Sequence, residues 1–346
     1  MADSINSKPA LCEVAQRCGG CPGLVVGDYR EGLTRKVSFI EEACRTLPLP
    51  SAVKLVEAPK QIAYRRRIRL CVDEGRVRFF NPEKSHQCIV LTDGLRQLIN
   101  CLFTVSLREP LLFNGATHLD VRDKDLDGMY GVTVFGEPKN REALRRTLPA
   151  AYMSFGDDST VPMQRIALCG SLSHRVPLTS FMQINAEVNA QVQADLWRHC
   201  QEEPPETFWD LYSGVGNLSL KLAADGFEGG GEELNPQSVA AANQTLNDWG
   251  QPKRYLSSDA RLPNERRPRT VDLLIANPPR AGLREGVRLI GTMRPRRVFL
   301  MSCDVKAFAR DLTGILGFGY EIERVDGYDM FPHTDHVEVT ALLRRC

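Results

Sequence analysis

Asp210-Leu-Tyr-Ser-Gly-Val-Gly-Asn217 sits between an apolar run, Thr207 to Leu211, and a helix-forming stretch that continues to Ala224. Its two glycines let the backbone pass close to a ligand at the carboxyl end of a strand. Glu233 closes the next strand, where doubly wound folds set a carboxylate that accepts hydrogen bonds from ribose hydroxyls. The loop lacks both the third glycine of a dinucleotide site and the lysine of a triphosphate loop, so the ligand reads as a nucleoside. The plainer alternative is that the glycines merely permit a tight turn. Downstream the rhythm repeats, with EGGGEELNPQSVAAANQTL, VDLLIANPPRAG and RRVFLMSC followed by DVKAFARDL. Strands that alternate with helices in this way indicate a parallel sheet with covering helices. Tyr320 to Arg324 and Val337 to Leu343 fit an antiparallel pair at its edge.

Upstream the pattern differs. Residues 27 to 47 read as a helix that ends before Pro48, with Val37, Ile40 and Ala43 on one side. From about residue 53 to 150 short apolar or alternating runs such as IRLCV, VRFF and GVTVF are separated by turn residues, Asp73-Glu74-Gly75 and Asp127-Gly128 among them. Helices are expected over 95–105 and 186–200. The sequence thus divides into an N-terminal cysteine segment and helix (1–50), a smaller strand-rich α+β domain (51–165) and an α/β domain (166–346). A chain of 346 residues is long enough for this. With 44 basic and 43 acidic residues the net charge is +1, so any polyanion site must be local. Arg65, Arg66, Arg67 and Arg69 form the densest basic cluster; Arg294, Arg296 and Arg297 follow. No apolar run is long enough for a membrane helix. Met1 to Ala10 has no signal pattern, which predicts a cytoplasmic protein.

Eleven cysteines are many for such a chain, and three fall within ten residues, in LCEVAQRCGGCPG. Gly19 and Gly20 let the backbone fold tightly enough to point Cys12, Cys18 and Cys21 at one centre. Cys88, in SHQCIV, is the best fourth ligand, while Cys44, Cys71 and Cys101 read as core. Four thiolates suit zinc or an iron-sulfur cluster, and spacing alone does not choose between them.

The order of glycine loop, ribose acid and Asn277-Pro-Pro resembles that of class I S-adenosylmethionine methyltransferases. Enzymes with Asn-Pro-Pro that act on exocyclic amines carry an aromatic residue next, but here Arg280 follows, which calls for another chemistry. Cys303, in Met301-Ser-Cys-Asp304, ends a strand at the same edge as the cofactor loop. The tail Met330-Phe-Pro-His-Thr-Asp-His-Val-Glu338 adds two histidines and two acids. Carbon-5 of a pyrimidine becomes nucleophilic when a thiolate adds at carbon-6, and a base must then remove the carbon-5 proton. Cys303 suits the first role and Glu338 the second, with Asp335 as rival base. His333 and His336 would lower the thiol pKa or brace the turn.

From Cys12 to Leu343 the chain resembles the RNA uracil-5-methyltransferases that carry an iron-sulfur cluster. The resemblance implies a Rossmann-like class I methyltransferase domain and two cofactors, S-adenosylmethionine and [4Fe-4S]. It implies Cys12, Cys18, Cys21 and Cys88 as cluster ligands. Gln183 of Phe181-Met-Gln-Ile-Asn185, Tyr212, Glu233 and Asn277 would surround S-adenosylmethionine, with Cys303 as nucleophile and Glu338 as proton acceptor. The choice of Glu233 over Glu232 depends on register. Many relatives have Asp-Pro-Pro-Arg; the asparagine form is similar to the branch acting on large-subunit (23S) ribosomal RNA. The cluster cysteines, and the lack of an OB-like barrel before Cys12, point to the same branch.

The expected substrate is a loop uridine flipped out of its stack. Tyr64 to Arg67 resembles the family's Tyr-Arg-x-Arg segment, suited to phosphate contact and stacking, and Phe181 or Phe331 is a candidate for stacking on the flipped base. No obligate protein partner is evident. A tRNA uridine is the alternative substrate, and a non-catalytic zinc- or cluster-containing RNA-binding protein is the alternative of another class.

Overall fold

The structure is a computed structural model, and it describes residues 12–84, 87–148 and 151–346. Met1 to Ala10, read above for a signal pattern, lies outside them. The chain forms two compact units that interleave along the sequence. One comprises the described residues up to Arg35, with Ala58–Thr160 and Phe331–Asp335; the other comprises Lys36–Glu57, Val161–Met330 and His336–Cys346.

In chain order the strands are β1 (Lys54–Val56), β2 (Arg67–Asp73), β3 (Arg76–Phe79), β4 (Ala116–Arg122), β5 (Tyr130–Gly136), β6 (Ala151–Phe155), β7 (Met163–Ala167) and β8 (Ser173–Pro177). They continue as β9 (Thr207–Leu211), β10 (Glu228–Glu233), β11 (Tyr255–Ser257), β12 (Leu273–Ala276), β13 (Arg297–Ser302), β14 (Tyr320–Tyr328) and β15 (Glu338–Arg345). The α-helices are α1 (Ala15–Cys18), α2 (Gly23–Val26), α3 (Tyr29–Ala43), α4 (Asp93–Arg108), α5 (Arg141–Thr147), α6 (Ala186–Glu202), α7 (Leu220–Ala224), α8 (Pro236–Asp248), α9 (Val287–Met293) and α10 (Val305–Leu316).

The smaller unit is built on a five-stranded sheet ordered β3-β2-β4-β5-β6, antiparallel except for β5–β6. At the β2–β3 turn Glu74 and Gly75 both have positive φ, the requirement of a two-residue hairpin turn. Ile68, Leu70, Leu119, Val121, Val132 and Val134 alternate onto one face, where Leu95, Leu98, Ile99 and Leu102 of α4 close the core.

The larger unit has an eight-stranded sheet ordered β1-β14-β15-β13-β12-β9-β10-β11, parallel except for β15, together with a β7–β8 hairpin. Strands β9, β12 and β13 are buried on both faces, so they read as continuous apolar runs. In β10 three consecutive glycines leave no room for side chains: a Cβ at Gly229 would stand 2.3 Å from the Phe208 carbonyl oxygen, and one at Gly230 2.0 Å from that of Arg254.

Two expectations are corrected here. β14 and β15 do pair antiparallel, but they are not the sheet edge. β1 lies outside β14, with Lys54, Leu55 and Val56 opposite Asp326, Gly327 and Tyr328. A three-residue strand far upstream has no sequence period by which to be found. The helix read over 27–47 is also shorter. Asp28 Oδ1 accepts from the Arg30 and Glu31 amides at its start, and it ends at Ala43.

Candidate active site

The carboxyl edge of the parallel strands carries the candidate residues in spatial order. Strands β10, β9, β12 and β13 are neighbours, and each ends in one of them: Glu233, Tyr212, Asn277 and Cys303. Leu211 pairs with Ala276 and Ala276 with Leu300, so Tyr212 and Asn277 leave the sheet at one level. Adjacent strands are about 5 Å apart, so the row spans one small ligand and its target.

After β9 the chain turns sharply. Tyr212, Gly214 and Gly216 all have positive φ, and such backbone at a non-glycine residue marks stored strain. Gly286 makes room for the tyrosine, since a Cβ there would lie 2.8 Å from the Tyr212 hydroxyl.

Glu233 fixes this turn: Oε2 accepts from the Gly214 amide (3.1 Å) and Oε1 from the Asn235 amide (2.8 Å). Glu232 points the other way, as alternation along a strand requires. It is fully buried against Arg267, which donates from Nε (2.6 Å) and Nη2 (2.9 Å). Register therefore leaves Glu233 as the carboxylate on the side of the glycine turn. Asp259, just past β11, is held bidentately by Arg261, which pulls it down to about 2.

Asp210 forms the floor of the turn. Ser219 Oγ donates to its Oδ2 (2.5 Å) and lies 2.8 Å from the Tyr255 hydroxyl. Burial pushes this carboxyl up to about 7, against the Ser219 bond and helped by Glu233. Among the described residues, Asp210 Oδ1 and Ser213 Oγ are buried without hydrogen-bond partners. Orphaned buried polar atoms beneath a glycine turn are what a ligand with polar groups would satisfy, so the residues fit a nucleoside-bearing cofactor.

Three supports of the turn escaped the sequence reading. Asn189 and Asn217 exchange side-chain hydrogen bonds (3.0 and 2.8 Å), and Gln193 donates to the Asn217 carbonyl (2.8 Å). The third is His174, on β8. Its buried imidazole hydrogen-bonds the Val215 carbonyl, and burial lowers it to about 4, so it is neutral. Only helical spacing could have flagged the first two, and nothing local signals His174.

Gln183 lies between two fixed points. Ser180 Oγ is 2.7 Å from Ser238 Oγ at the start of α8, and Asn185 both caps α6 and donates to the Met330 carbonyl. Phe181 in the same segment is exposed. Neither Gln183 nor Asn277 has a side-chain hydrogen bond among the described residues, and both are half-buried.

Cys303 and Glu338 come together across strands. β13 and β15 pair antiparallel up to Ser302 opposite Val339, and the next step of that register sets Cys303 opposite Glu338. Directly opposed residues share a face with Cβ atoms about 5 Å apart. The electrostatics agree: burial first and then the Glu338 carboxylate raise the Cys303 thiol, while Arg280 opposes them. Glu338 itself is buried and pushed up to about 8 by that burial. Asp304 caps α10 and pairs with Arg280 (3.5 Å). The rival base Asp335 is exposed and paired with Arg35 (3.8 Å). His333 is buried against the Tyr29 ring.

In the smaller unit, Cys12, Cys18, Cys21 and Cys88 are half-buried free thiols. The Cys21 thiol is pushed up to about 11 by burial, then by Cys88, with Lys84 opposing and Cys18 and Cys12 adding smaller effects. The four sulfurs are thus within electrostatic reach of one another. Asn81 Nδ2 holds the loop by donating to the Cys18 carbonyl (2.7 Å). Among the described residues, however, no three His, Cys, Asp or Glu side chains close to metal-binding geometry.

The Tyr64 to Arg67 expectation is corrected in part. Tyr64 is buried and its hydroxyl bonds the Pro332 carbonyl, so it offers no ring for stacking. Arg67 is held bidentately by Asp120.

No protein-family model matches the chain. An uncharacterized RNA methyltransferase of Bdellovibrio bacteriovorus is 29% identical over 96% of this chain and 78% of its own length. The 23S rRNA (uracil(1939)-C(5))-methyltransferase of Shewanella sediminis is 28% identical over 99% and 83%. The 23S rRNA (uracil(747)-C(5))-methyltransferase of Yersinia pestis is 34% identical over 184 residues, 49% of this chain and 46% of that one. Among solved structures, the Pyrococcus abyssi tRNA (uracil-54, C5)-methyltransferase in complex with S-adenosyl-L-homocysteine superposes with a TM-score of 0.75 at 21% identity, covering 91% of this chain and 83% of that one. The fold is that of a class I S-adenosylmethionine methyltransferase with an added strand-rich unit, and the chain is related in sequence to RNA uracil-5-methyltransferases. Among the described residues no helix is long and apolar enough to cross a membrane.

Proposed function

We propose that this chain is an S-adenosylmethionine-dependent 23S rRNA (uracil-5-)-methyltransferase that makes 5-methyluridine through a covalent adduct. The observation that carries the reading is the cross-strand opposition of Cys303 and Glu338 at the strand edge that also bears the glycine turn and Glu233. The sequence relatives named for 23S rRNA support ribosomal RNA over tRNA. A ribosomal RNA substrate puts the enzyme in the cytoplasm.

Bound S-adenosylmethionine would supply the methyl group, its sulfur–methyl bond breaking so that S-adenosylhomocysteine leaves. Tyr212, Glu233 and Asn277 at the strand edge, with Gln183 from the segment between β8 and α6, would hold it, Glu233 accepting from ribose hydroxyls. The Cys303 thiolate forms a bond from sulfur to carbon-6 of the flipped uracil, and the displaced π pair makes carbon-5 the nucleophile that takes the methyl group. The Glu338 carboxylate then removes the carbon-5 proton. The electron pair of that C–H bond restores the 5,6 double bond, and the sulfur–carbon bond breaks to return the thiolate. Burial raises the basicity of Glu338 towards neutrality, where a general base is most effective.

Cys12, Cys18 and Cys21 from one loop and Cys88 from a second, distant in sequence, make an all-thiolate donor set, the kind that suits a [4Fe-4S] cluster. Their role would be to fix the amino-terminal segment on the smaller unit. Anaerobic purification should give a brown protein with a visible thiolate-to-iron band, whereas a colourless zinc protein would overturn the assignment.

Tritium release from carbon-5-labelled uridine in separate ribosomal and transfer RNA pools tests the reaction. Release from ribosomal RNA alone is expected. Release from transfer RNA alone moves the substrate, and release from neither overturns the carbon-5 chemistry. The two named ribosomal relatives act on different uridines, so mapping of 5-methyluridine in the product identifies the target.

A further inference from the structure

The five-stranded sheet of the smaller unit has one apolar face under α4; the other face carries charge and aromatic rings. Alternation turns Arg67, Arg69 and Cys71 of β2, His118, Asp120 and Arg122 of β4, and Thr133 and Phe135 of β5 to that second face. Across the strands Arg67 stands opposite Arg122, Arg69 opposite Asp120, and His118 opposite Phe135. One end of the face is buried, including Arg122, Thr133 and Asp120. The other end is open: the Arg69 side chain is 53% exposed, and His118 and Phe135 are partly exposed.

At the open end the rings are already assembled. The His118 and Phe135 planes are 7° apart with centroids at 4.3 Å, and the Arg69 guanidinium lies 5.8 Å from the Phe135 centroid. Thr117 Oγ1, 3.0 Å from His118 Nδ1, fixes the imidazole plane. Just past the next strand, β6, Gly156 leaves Phe135 its space, since a Cβ there would press on the ring at 3.2 Å. Burial, followed by Arg69, lowers His118, so the stack is uncharged at neutral pH. Asp120 stays ionised: burial opposes this, but Arg67, Arg122 and Arg69 outweigh it. One carboxylate among three guanidinium groups leaves the face positive.

We propose that the open end of this face, Arg69, His118 and Phe135, binds a single-stranded segment of the RNA substrate, with one base stacked on the ring pair and its phosphate facing Arg69. A flat neutral π-surface beside a guanidinium complements what an unpaired nucleotide presents, a base face and an adjacent phosphate. A duplex hides its base faces, so it cannot use the stack. The proposal deepens the reading of the chain as an RNA methyltransferase and rests on it.

The test uses the full chain and fluorescence anisotropy with a 5′-labelled single-stranded 12-nucleotide RNA, against a duplex of the same sequence. Phe135→Leu keeps apolar bulk and removes the stack; it should weaken single-strand binding about tenfold, while Phe135→Tyr restores it. Arg69→Gln, at an exposed side chain, should reduce the slope of log affinity on log salt by about one. Affinity for S-adenosylhomocysteine should be unchanged in all three. Single-strand binding by Phe135→Leu and Arg69→Gln equal to that of the unaltered protein overturns the proposal, as does equal or tighter binding of the duplex. Tritium release from 23S rRNA by the unaltered protein reads the reaction separately. Release with no effect of either substitution removes the RNA face alone; no release removes the functional reading.

Discussion

The two sheets of this protein put their chemistry in different places. The eight-stranded sheet is covered on both sides, so its polar side chains emerge at strand ends: Asp210 and Tyr212, Glu233, Asn277 and Cys303. The five-stranded sheet is covered by α4 on one side, and its polar and aromatic groups spread across the other face. Parallel strands carry helices on both faces because their crossovers run there, whereas antiparallel strands need not. A strand end gathers a few groups at one point, which suits a reacting atom. A face offers a broad, shallow surface, which suits recognition.

If that division is right, changes at strand ends should act on chemistry and cofactor, and changes on the open face on RNA affinity. The largest effect belongs to Cys303→Ala. Methylation should fall to background with S-adenosylhomocysteine binding intact, and turnover surviving in that variant would remove Cys303 as nucleophile. Glu338→Gln comes next. Loss of a general base slows turnover by about 10²- to 10⁴-fold, and the enzyme–RNA adduct should accumulate on denaturing gels because its proton cannot leave.

The same substitution separates function from stability. The folded pKa of Glu338 is raised to about 8, above the ordinary value of 4.5, so the folded state binds the extra proton. Stability contributed at this site is therefore present below pH 4.5 and lost as pH rises towards 8. Glu338→Gln should melt higher than the unaltered protein at pH 8.5 and nearly level with it at pH 5. Activity should climb from pH 6 to 9, since both the carboxylate and the raised Cys303 thiol must ionise. A pH–rate profile falling over that range would contradict the pairing.

Neighbouring acids on β10 give a sharper contrast. Glu232→Gln breaks a buried pair with Arg267 and should cost about 3–5 kcal/mol in urea unfolding. Glu233→Gln loses one of the two backbone amide hydrogen bonds that the carboxylate accepts and should cost less, about 1–2 kcal/mol in unfolding, while weakening cofactor affinity, as read by isothermal titration with S-adenosylhomocysteine. The smallest effect is expected at His174. Its Leu variant loses one hydrogen bond to the Val215 carbonyl, about 1 kcal/mol or fivefold in cofactor affinity, which Gln should recover because the imidazole Nδ1 is not the bonded atom.

The strand ends that carry the candidate residues were largely legible in the sequence because their signals are local. The glycine turn, Asn277-Pro-Pro and Met301-Ser-Cys-Asp304 each follow an apolar run that announces a strand. Alternation separates Glu233 from Glu232 only once the register of β10 is known. The opposition of Cys303 to Glu338 needs the β13–β15 register, which lies in the pairing of distant segments. Tyr64 misled for the same reason. A tyrosine beside three arginines looks exposed in sequence, but its ring is buried and its hydroxyl bonds Pro332, more than two hundred residues away in the chain. The open face was invisible because its members are scattered over β2, β4 and β5.

The interleaving of the units bears on biosynthesis. β15 joins β13 to the β14–β1 pair, and in chain order it follows every other strand of the two sheets. Until it arrives, β14 and β1 have no hydrogen-bonded link to the rest of the larger sheet, while the five strands of the smaller sheet are all in hand by Phe155. Vectorial synthesis thus favours early maturation of the smaller sheet and late closure of the larger. The strand that closes it also bears the proposed base: Glu338 is the first residue of β15, so completing the larger sheet and setting Cys303 opposite Glu338 are one event.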